Sequence, residues 1–264
     1  MTAHAPAQPA PRDPRHLRLL SYNIQAGQSV KRYREYVTRG WQNVLPHPSK
    51  RRNLVEVATL VAGYDLVALQ EADAGSLRSG FQNQVQWLAE KAGFPFWSHQ
   101  ANRRVARLSE SSNGLLSRFE PSAMIDHRLP GAIPGRGALE AVYGNGASSL
   151  RVIVAHLALT PRARRTQLAY LAEIIGDHAH VVLMGDFNCT IDGGELRPLF
   201  AKTALLPPAL APSTFPSWRP KRAIDHILVA GQLKPLALEV PLVHASDHLP
   251  IALTVELPHS LKFQ

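Results

Sequence analysis

With 264 residues, 45% of them hydrophobic, the chain is long enough to bury a substantial core and short enough to remain one α/β domain. Its 29 Lys and Arg outnumber 20 Asp and Glu, and the formal charge of +9 favours polyanionic partners: nucleic acid, phospholipid headgroups or other phosphates. A single cysteine, Cys189, excludes an intrachain disulfide framework and a thiolate-rich zinc site, which fits a reducing, cytoplasmic compartment.

Residues 1–16 read as a disordered leader. Met1 to Pro14 is rich in Ala, Pro and His and lacks the apolar stretch and cleavage pattern of a signal peptide, so the domain is expected over 17–264. The first strand is LRLLSY, Leu17 to Tyr22. Gln25 to Lys50 has no clean period and reads as a loop. Behind a Ser49 cap, Leu54, Val57, Ala58 and Val61 repeat at helical spacing. DLVALQ, Asp65 to Gln70, is the second strand, and Val85, Leu88, Ala89 and Ala92 mark another helix. LRVIVA, Leu150 to Ala155, precedes a helix in which Thr160 caps, Pro161 takes the first position, and Leu168, Leu171, Ala172 and Ile175 form the apolar stripe. VVLM, Val181 to Met184, follows; Leu205 to Arg222, with its prolines, reads as a second long loop; ILVA, Ile227 to Ala230, and IALTVEL, Ile251 to Leu257, close the chain. Strands alternating with helical patterns predict sheets covered by helices. LVALQE and VVLMGDFN repeat a strand, helix, strand, carboxylate order, which suggests two similar layers packed face to face. No apolar run is long enough to span a bilayer, leaving a soluble protein or one peripheral to the inner membrane surface.

The informative feature is what stands at the strand ends. Asn23 follows LRLLSY, Glu71 follows DLVALQ, His156 follows LRVIVA, Asp186 and Asn188 follow VVLMG, Asp225 precedes ILVA, and Asp247 with His248 precedes LPIALTVEL. Strand ends of α/β sheets converge on ligand crevices. Each residue alone has a structural explanation, as a loop cap, a surface ion pair or a satisfied core histidine. Together they supply what metal-assisted phosphoester hydrolysis needs: hard carboxylate oxygens, a group to orient or deprotonate water, and donors for charge building on phosphate oxygens. An Asp and a His that meet can form an orienting pair, and Asp225 with His248 is the candidate. His244 and His248 have the spacing of a zinc helix, but Pro250 and the strand-like run after it disfavour a helix there.

SYNIQAG, VALQEAD, NGLLSRF, VAHLALTPRARRTQ, LMGDFN, TFPSWRPKRAIDHILV and ASDHLPI occur in the order in which they resemble the endonuclease/exonuclease/phosphatase superfamily, which holds pancreatic-type deoxyribonucleases, abasic-site endonucleases, neutral sphingomyelinases and inositol-polyphosphate phosphatases. The resemblance implies a four-layered α/β sandwich, two central mixed sheets flanked by helices, and a phosphodiesterase using magnesium, with manganese as a substitute. It implies Glu71 as principal metal ligand, with Asn23 and Asp247 beside it. Asp186 would align or deprotonate the attacking water, and Asn188 would hold it or touch the phosphate. His248, oriented by Asp225, would neutralise a phosphate oxygen, while His156 does so from the other side or assists the leaving group. Which of Asp186, His156 and His248 is acid and which is base stays open. Asn23, Asn113 in NGLLSRF, Arg136 and Arg118 are candidates for substrate contact; structural salt bridging is the alternative use for Arg118, Arg136 and Arg165.

Lys31, Arg32, Arg34, Arg39, Lys50, Arg51 and Arg52 surround a lone Glu35, with Tyr33, Tyr36 and Trp41 interleaved. That mix suits a nucleic-acid groove, and equally an anionic membrane surface. Arg103, Arg104, Arg107, Arg219, Lys221 and Arg222 add to the field. QEAD stands where the abasic-site enzymes carry a Lys-containing QET segment, and TFPSWRPKRAIDHILV looks more like bacterial sphingomyelinase-like and lipid-linked members. The substrate classes are therefore DNA or RNA on one side and phospholipid or inositol phosphate on the other, with no obligate protein partner. A polyanion-binding protein without turnover is the non-enzyme reading.

Overall fold

The structure is a computed structural model that describes residues 13–27, 48–105, 109–131 and 136–261. Strands β1 (His16–Asn23), β2 (Leu66–Asp73), β3 (Phe96–Val105) and β4 (Ser109–Ser117), with helices α1 (Pro48–Val61) and α2 (Gln84–Ala92), make the first half. Strands β5 (Ala123–Arg128), β6 (Gly137–Tyr143), β7 (Leu150–His156), β8 (Val181–Asp186) and β9 (Asp225–Val229), with α3 (Pro161–Ile175) and α4 (Arg197–Lys202), make the second. Strands β10 (Lys234–Glu239) and β11 (Ile251–Glu256) then return to the first sheet. One sheet runs β10-β11-β1-β2-β4-β3 and the other β5-β6-β7-β8-β9. Both are mixed, since β1 and β2 are parallel, as are β7 and β8, while the remaining pairings are antiparallel.

Strand alternation sorts the apolar side chains into layers. Leu17 and Leu19 of β1, Val152 and Val154 of β7, and Val182 and Met184 of β8 meet between the sheets. Leu20 and Tyr22 of β1 face outward onto Leu54, Val57 and Val61 of α1 and Val85 and Leu88 of α2. Ile153, Val181 and Leu183 face outward onto Leu168, Leu171 and Ile175 of α3 and Leu199 of α4. Three apolar layers separate four structural ones, the expected sandwich. At roughly 25 cal/mol per Å² of buried apolar surface, these layers supply most of the drive to fold.

Helix starts differ in detail from the sequence expectation. Ser49 lies inside α1, which begins at Pro48, so it is not the cap. Thr160 does hold the N-cap position of α3 with Pro161 in the first turn, yet its hydroxyl makes no capping bond. Asn83 caps α2, accepting from the N–H groups of Val85 and Gln86. Asp13 to His16 belong to the ordered fold: His16 opens β1, the Leu257 N–H donates to the Arg15 carbonyl, and Arg15 pairs with Glu256 at 2.8 Å. The rest of the expected leader, residues 1–12, and most of the basic loop, 28–47, lie outside the described residues, as does Arg107. No helix among the described residues is long and apolar enough to cross a membrane.

Candidate active site

Alternation also decides which polar side chains meet. Counting on in twos from Leu17 and Leu19 puts Asn23 on the face between the sheets at the end of β1. The same count from Val154 reaches His156, from Met184 reaches Asp186, and from Ile227 back to Asp225. Register brings these ends level, with His156 opposite Asp186 on parallel strands and Asp186 opposite Asp225 on antiparallel ones. Gly185 permits the β7–β8 approach: a Cβ there, at φ +149°, would sit 1.8 Å from the Ala155 carbonyl oxygen.

Glu71 escapes that count. Leu66 and Ala68 face the other sheet and Val67 and Leu69 face the helices, so strict alternation would send Glu71 outward. Instead the β2–β4 register shifts between Leu69 and Ala72, and Glu71 takes φ +57°. This bulge re-aims the carboxylate to within 3.8 Å of His156 Nε2. Asp73 fixes the chain just beyond: its carboxylate accepts from the N–H groups of Gly75 and Ser76 and the hydroxyls of Ser76 and Ser79. Gln84 accepts from the Asp73 N–H and donates to the Ala26 carbonyl, tying the ends of β1 and β2 together.

Asp186 is the hub. Its Oδ2 accepts from Asn23 Nδ2 at 3.1 Å and lies 3.5 Å from His156 Nε2 and 3.8 Å from His248 Nε2; its Oδ1 accepts from the Asn188 N–H at 2.9 Å. His248 Nδ1 donates to Asp225 at 2.9 Å, the orienting pair anticipated from sequence. Burial, reinforced by the charge of Asp225, pushes the Asp186 carboxyl up to about 7 against the pull of His248. Burial likewise opposes charge on His248, but Asp225, Asp186 and Asp247 outweigh it and raise the imidazole to about 10. His156 goes the other way: burial first, then Arg136 and His248, hold it well below the usual histidine range and therefore neutral. Burial and the neighbouring Glu71 charge raise Asp247. One carboxylate thus stands between a neutral and a cationic histidine.

The segment Thr214 to Ser217 locks Asp247 and His248 in place. Leu249 N–H donates to the Thr214 carbonyl, Ser217 N–H to the Asp247 carbonyl and the Ser217 hydroxyl to the Ser246 carbonyl. The Phe215 ring packs 4.9 Å from that of His248, and the Thr214 hydroxyl donates to Asp225. These residues, with Asp73 and Gln84, were not legible as site residues from the sequence. The one signal was the position of TFPS ahead of IDHIL, and an aperiodic loop offers no pattern by which to choose among its side chains.

The remaining expectations divide. Asn188, at φ +54°, turns back so that its amide donates to the Leu157 carbonyl at 3.0 Å. Asn113 is buried; its amide nitrogen donates to the carbonyl of Gly137, the neighbour of Arg136, while its Oδ1 has no hydrogen-bond partner among the described residues. Arg136 is near enough to bear on His156. Arg165 is exposed on the first turns of α3. Arg118 is not brought to the site. It follows Ser117, which pairs with Leu66 at the opposite end of β2, and it donates to the carbonyls of Ala62, Tyr64 and Gly93 just past α1 and α2. A guanidinium is favoured there by the exposed carbonyls of two helix C-termini, and it also lies over the Phe94 ring. No salt bridge is needed to explain it.

A hard divalent cation fits this centre. Glu71, Asp186, Asp225 and Asp247 bring four carboxylates together around the charged imidazole of His248, a surplus of acidic oxygens among the described residues, and burial with the Glu71 charge raises the Asp247 carboxyl. The donors of Glu71, Asp247 and the Asn23 carbonyl are all oxygen, as magnesium prefers. Asp186, Asp225 and His248 offer a tighter cluster of ligating atoms, within 4.8 Å of one another. Theirs is the weaker case for a metal, because His248 Nδ1 and the Thr214 hydroxyl already occupy Asp225. A small apolar cavity lined by Phe96, Trp97, Leu115, Ser117 and Met124 lies towards the other end of β4 and contributes nothing to this centre.

Residues 20–248 match the model of the Endonuclease/Exonuclease/phosphatase family, a span that runs from β1 through His248. The chain belongs to this family. Its members are hydrolases of phosphate esters. No curated protein matches the chain. Among solved structures it is similar to an endonuclease/exonuclease/phosphatase from Beutenbergia cavernae (20% identity, TM-score 0.73, 93% of this chain and 72% of that one). It is also similar to D. rerio TDP2 complexed with single-strand DNA product (15% identity, TM-score 0.66, 91% and 99%). ANGEL2, a 2',3'-cyclic phosphatase, is a third (16% identity, TM-score 0.65, 92% and 95%). At such identities these likenesses establish a shared fold.

Proposed function

We propose that this family member is a magnesium-dependent phosphodiesterase that cleaves its substrate by in-line attack of water. The setting of Asp186 carries the reading: a buried carboxylate with His156 and His248 on either side and Asn23 and the Asn188 N–H gripping its oxygens. A carboxyl pushed up to about 7 is matched to taking a proton from water near neutral pH. His248, cationic and steered by Asp225, presents Nε2–H to a phosphate oxygen as charge builds there, and neutral His156 serves another oxygen or the leaving group. Arg136, which bears on His156, is the residue for substrate contact. The Asn23 and Asn188 amides are already given to Asp186 and the Leu157 carbonyl, and the fully buried Asn113 supports the chain next to Arg136 through the Gly137 carbonyl. Glu71, Asp247 and the Asn23 carbonyl would hold magnesium, with manganese as a substitute; when bound, the ion supplies charge neutralisation at phosphate.

Nucleic acid is the first substrate class to test. Exposed Arg128, Arg162, Arg165, Arg219, Lys221 and Arg222 lie on segments at or next to the site end of the sheets, and the similar TDP2 carries a single-strand DNA product. Anionic phospholipid presents the same charge and is the competing class. The discriminating experiment incubates the protein with an aryl phosphodiester, a single-stranded oligonucleotide, plasmid DNA and anionic liposomes, each with magnesium, manganese or EDTA. We expect EDTA-sensitive, magnesium-restored turnover of the aryl diester and the oligonucleotide. Tight polyanion binding with no turnover under any metal would refute the enzyme reading and leave a binding protein.

A further inference from the structure

We infer that Thr214 is a positioning residue for the His248 imidazole, acting through Asp225; this rests on the phosphodiesterase reading and adds a member to its hydrogen-bond chain. Thr214 is fully buried, and its hydroxyl donates to Asp225 Oδ2. That same oxygen makes the shorter of the two contacts with His248 Nδ1, 2.9 Å against 3.2 Å for Oδ1. A single ring nitrogen, in contact with both oxygens at unequal distances, is one donor and does not by itself choose between them. A second donor from another direction fixes which oxygen the imidazole reads.

The hydroxyl is itself held in place. Thr214 N–H donates to the Arg222 carbonyl at 3.0 Å, and its carbonyl accepts from Leu249 N–H at 2.8 Å. The backbone is therefore pinned on one side to the segment leading into Asp225 and on the other to the residue after His248. A buried threonine satisfied for structural reasons alone commonly bonds a carbonyl within its own turn. Thr214 instead reaches a carboxylate eleven residues away.

Thr214→Val keeps the branched shape and both backbone bonds while removing the hydroxyl, and Thr214→Ser keeps the hydroxyl. Two readouts apply: kcat and KM on the aryl diester, and the His248 Nδ1–H resonance in ¹⁵N-labelled full-length protein without metal. We expect Thr214→Val to lower kcat roughly 10- to 100-fold with KM within about twofold, the loss of a hydrogen bond to a charged group that acts in the transition state. We also expect the resonance to move upfield, and Thr214→Ser to restore both. Should Thr214→Val fail to fold, Thr214→Ala carries the same expectation. A resonance unmoved by hydroxyl removal, or wild-type kcat in Thr214→Val, would overturn the inference. Because the resonance needs no turnover, a wild type inactive on every diester sinks the phosphodiesterase reading while Thr214 remains tested.

Discussion

At Glu71 a positive φ and a single bulge turn towards the site a side chain that strand alternation would have buried against helices. The residue is about a third exposed, at 35%, so its removal disturbs little packing. We expect Glu71→Gln to keep the wild-type melting temperature and to weaken magnesium binding at least roughly tenfold by calorimetry, since one hard ligand charge is lost. Undiminished affinity would move the cation elsewhere, to Asp186 and Asp225 first. Asn23, His156, Asp186 and Asp225 were legible because each continues a period of two that apolar neighbours had already set. The direction of Glu71 was not, since a bulge leaves no trace in hydrophobicity. Arg118 was misplaced because a strand-end arginine looks the same at either end of a sheet.

Among elements, the strands written as short apolar runs were readable, edge strand β9 included, whereas β6, buried but interrupted by Gly137 and Glu140, and the exposed margin strands β5 and β10 were not. Strands β5 and β10 are exposed along nearly their whole length, so neither carries an apolar alternation, and α4 is only six residues long. Gly185 sets the spacing of β7 and β8. We expect Gly185→Ala to cost about 3–5 kcal/mol in urea unfolding, a Cβ against a carbonyl being a steric conflict the strand cannot relax. A loss under 1 kcal/mol would mean the strands can part. Glu140 ties β5, β6 and β7: it is fully buried, 2.7 Å from His127 Nε2 and bonded to Arg151. Burial alone would raise its carboxyl, but Arg151 and His127 together hold it below the glutamate value of 4.5. A depressed folded pKa stabilises above 4.5 and is lost as pH falls through the lowered value. Glu140→Gln should therefore unfold at lower urea than wild type at pH 7, with the gap closing in strong acid and kcat unchanged. A gap independent of pH would argue that shape, rather than charge, is what Glu140 supplies.

For the whole molecule, two similar strand-helix-strand halves already suggested two layers packed face to face, and the family resemblance implied the four-layer order. The return of β10 and β11 to the first sheet was not visible, because it is set by pairing between residues far apart in the chain. The exposed cations near the site end give a charge prediction at this scale. KM for an oligonucleotide should rise steeply between about 50 and 200 mM salt while kcat holds, and replacing Arg219, Lys221 and Arg222 by Ala should flatten that slope. A slope unaltered by the triple variant would place the phosphate track elsewhere. What joins the scales is Asp186, where β1, β7, β8, β9 and the loop before β11 converge. Ionised Asp186 is disfavoured in the fold, its carboxyl standing at about 7 rather than 3.8, so the residue is not kept for stability. The direct measurement is magnesium-supported kcat on the aryl diester together with the melting temperature, for wild type and Asp186→Asn. We expect kcat to fall by roughly a thousandfold or more while the protein melts no lower than wild type. Undiminished kcat, or a variant that loses activity only because it unfolds, would contradict an active site centred on Asp186.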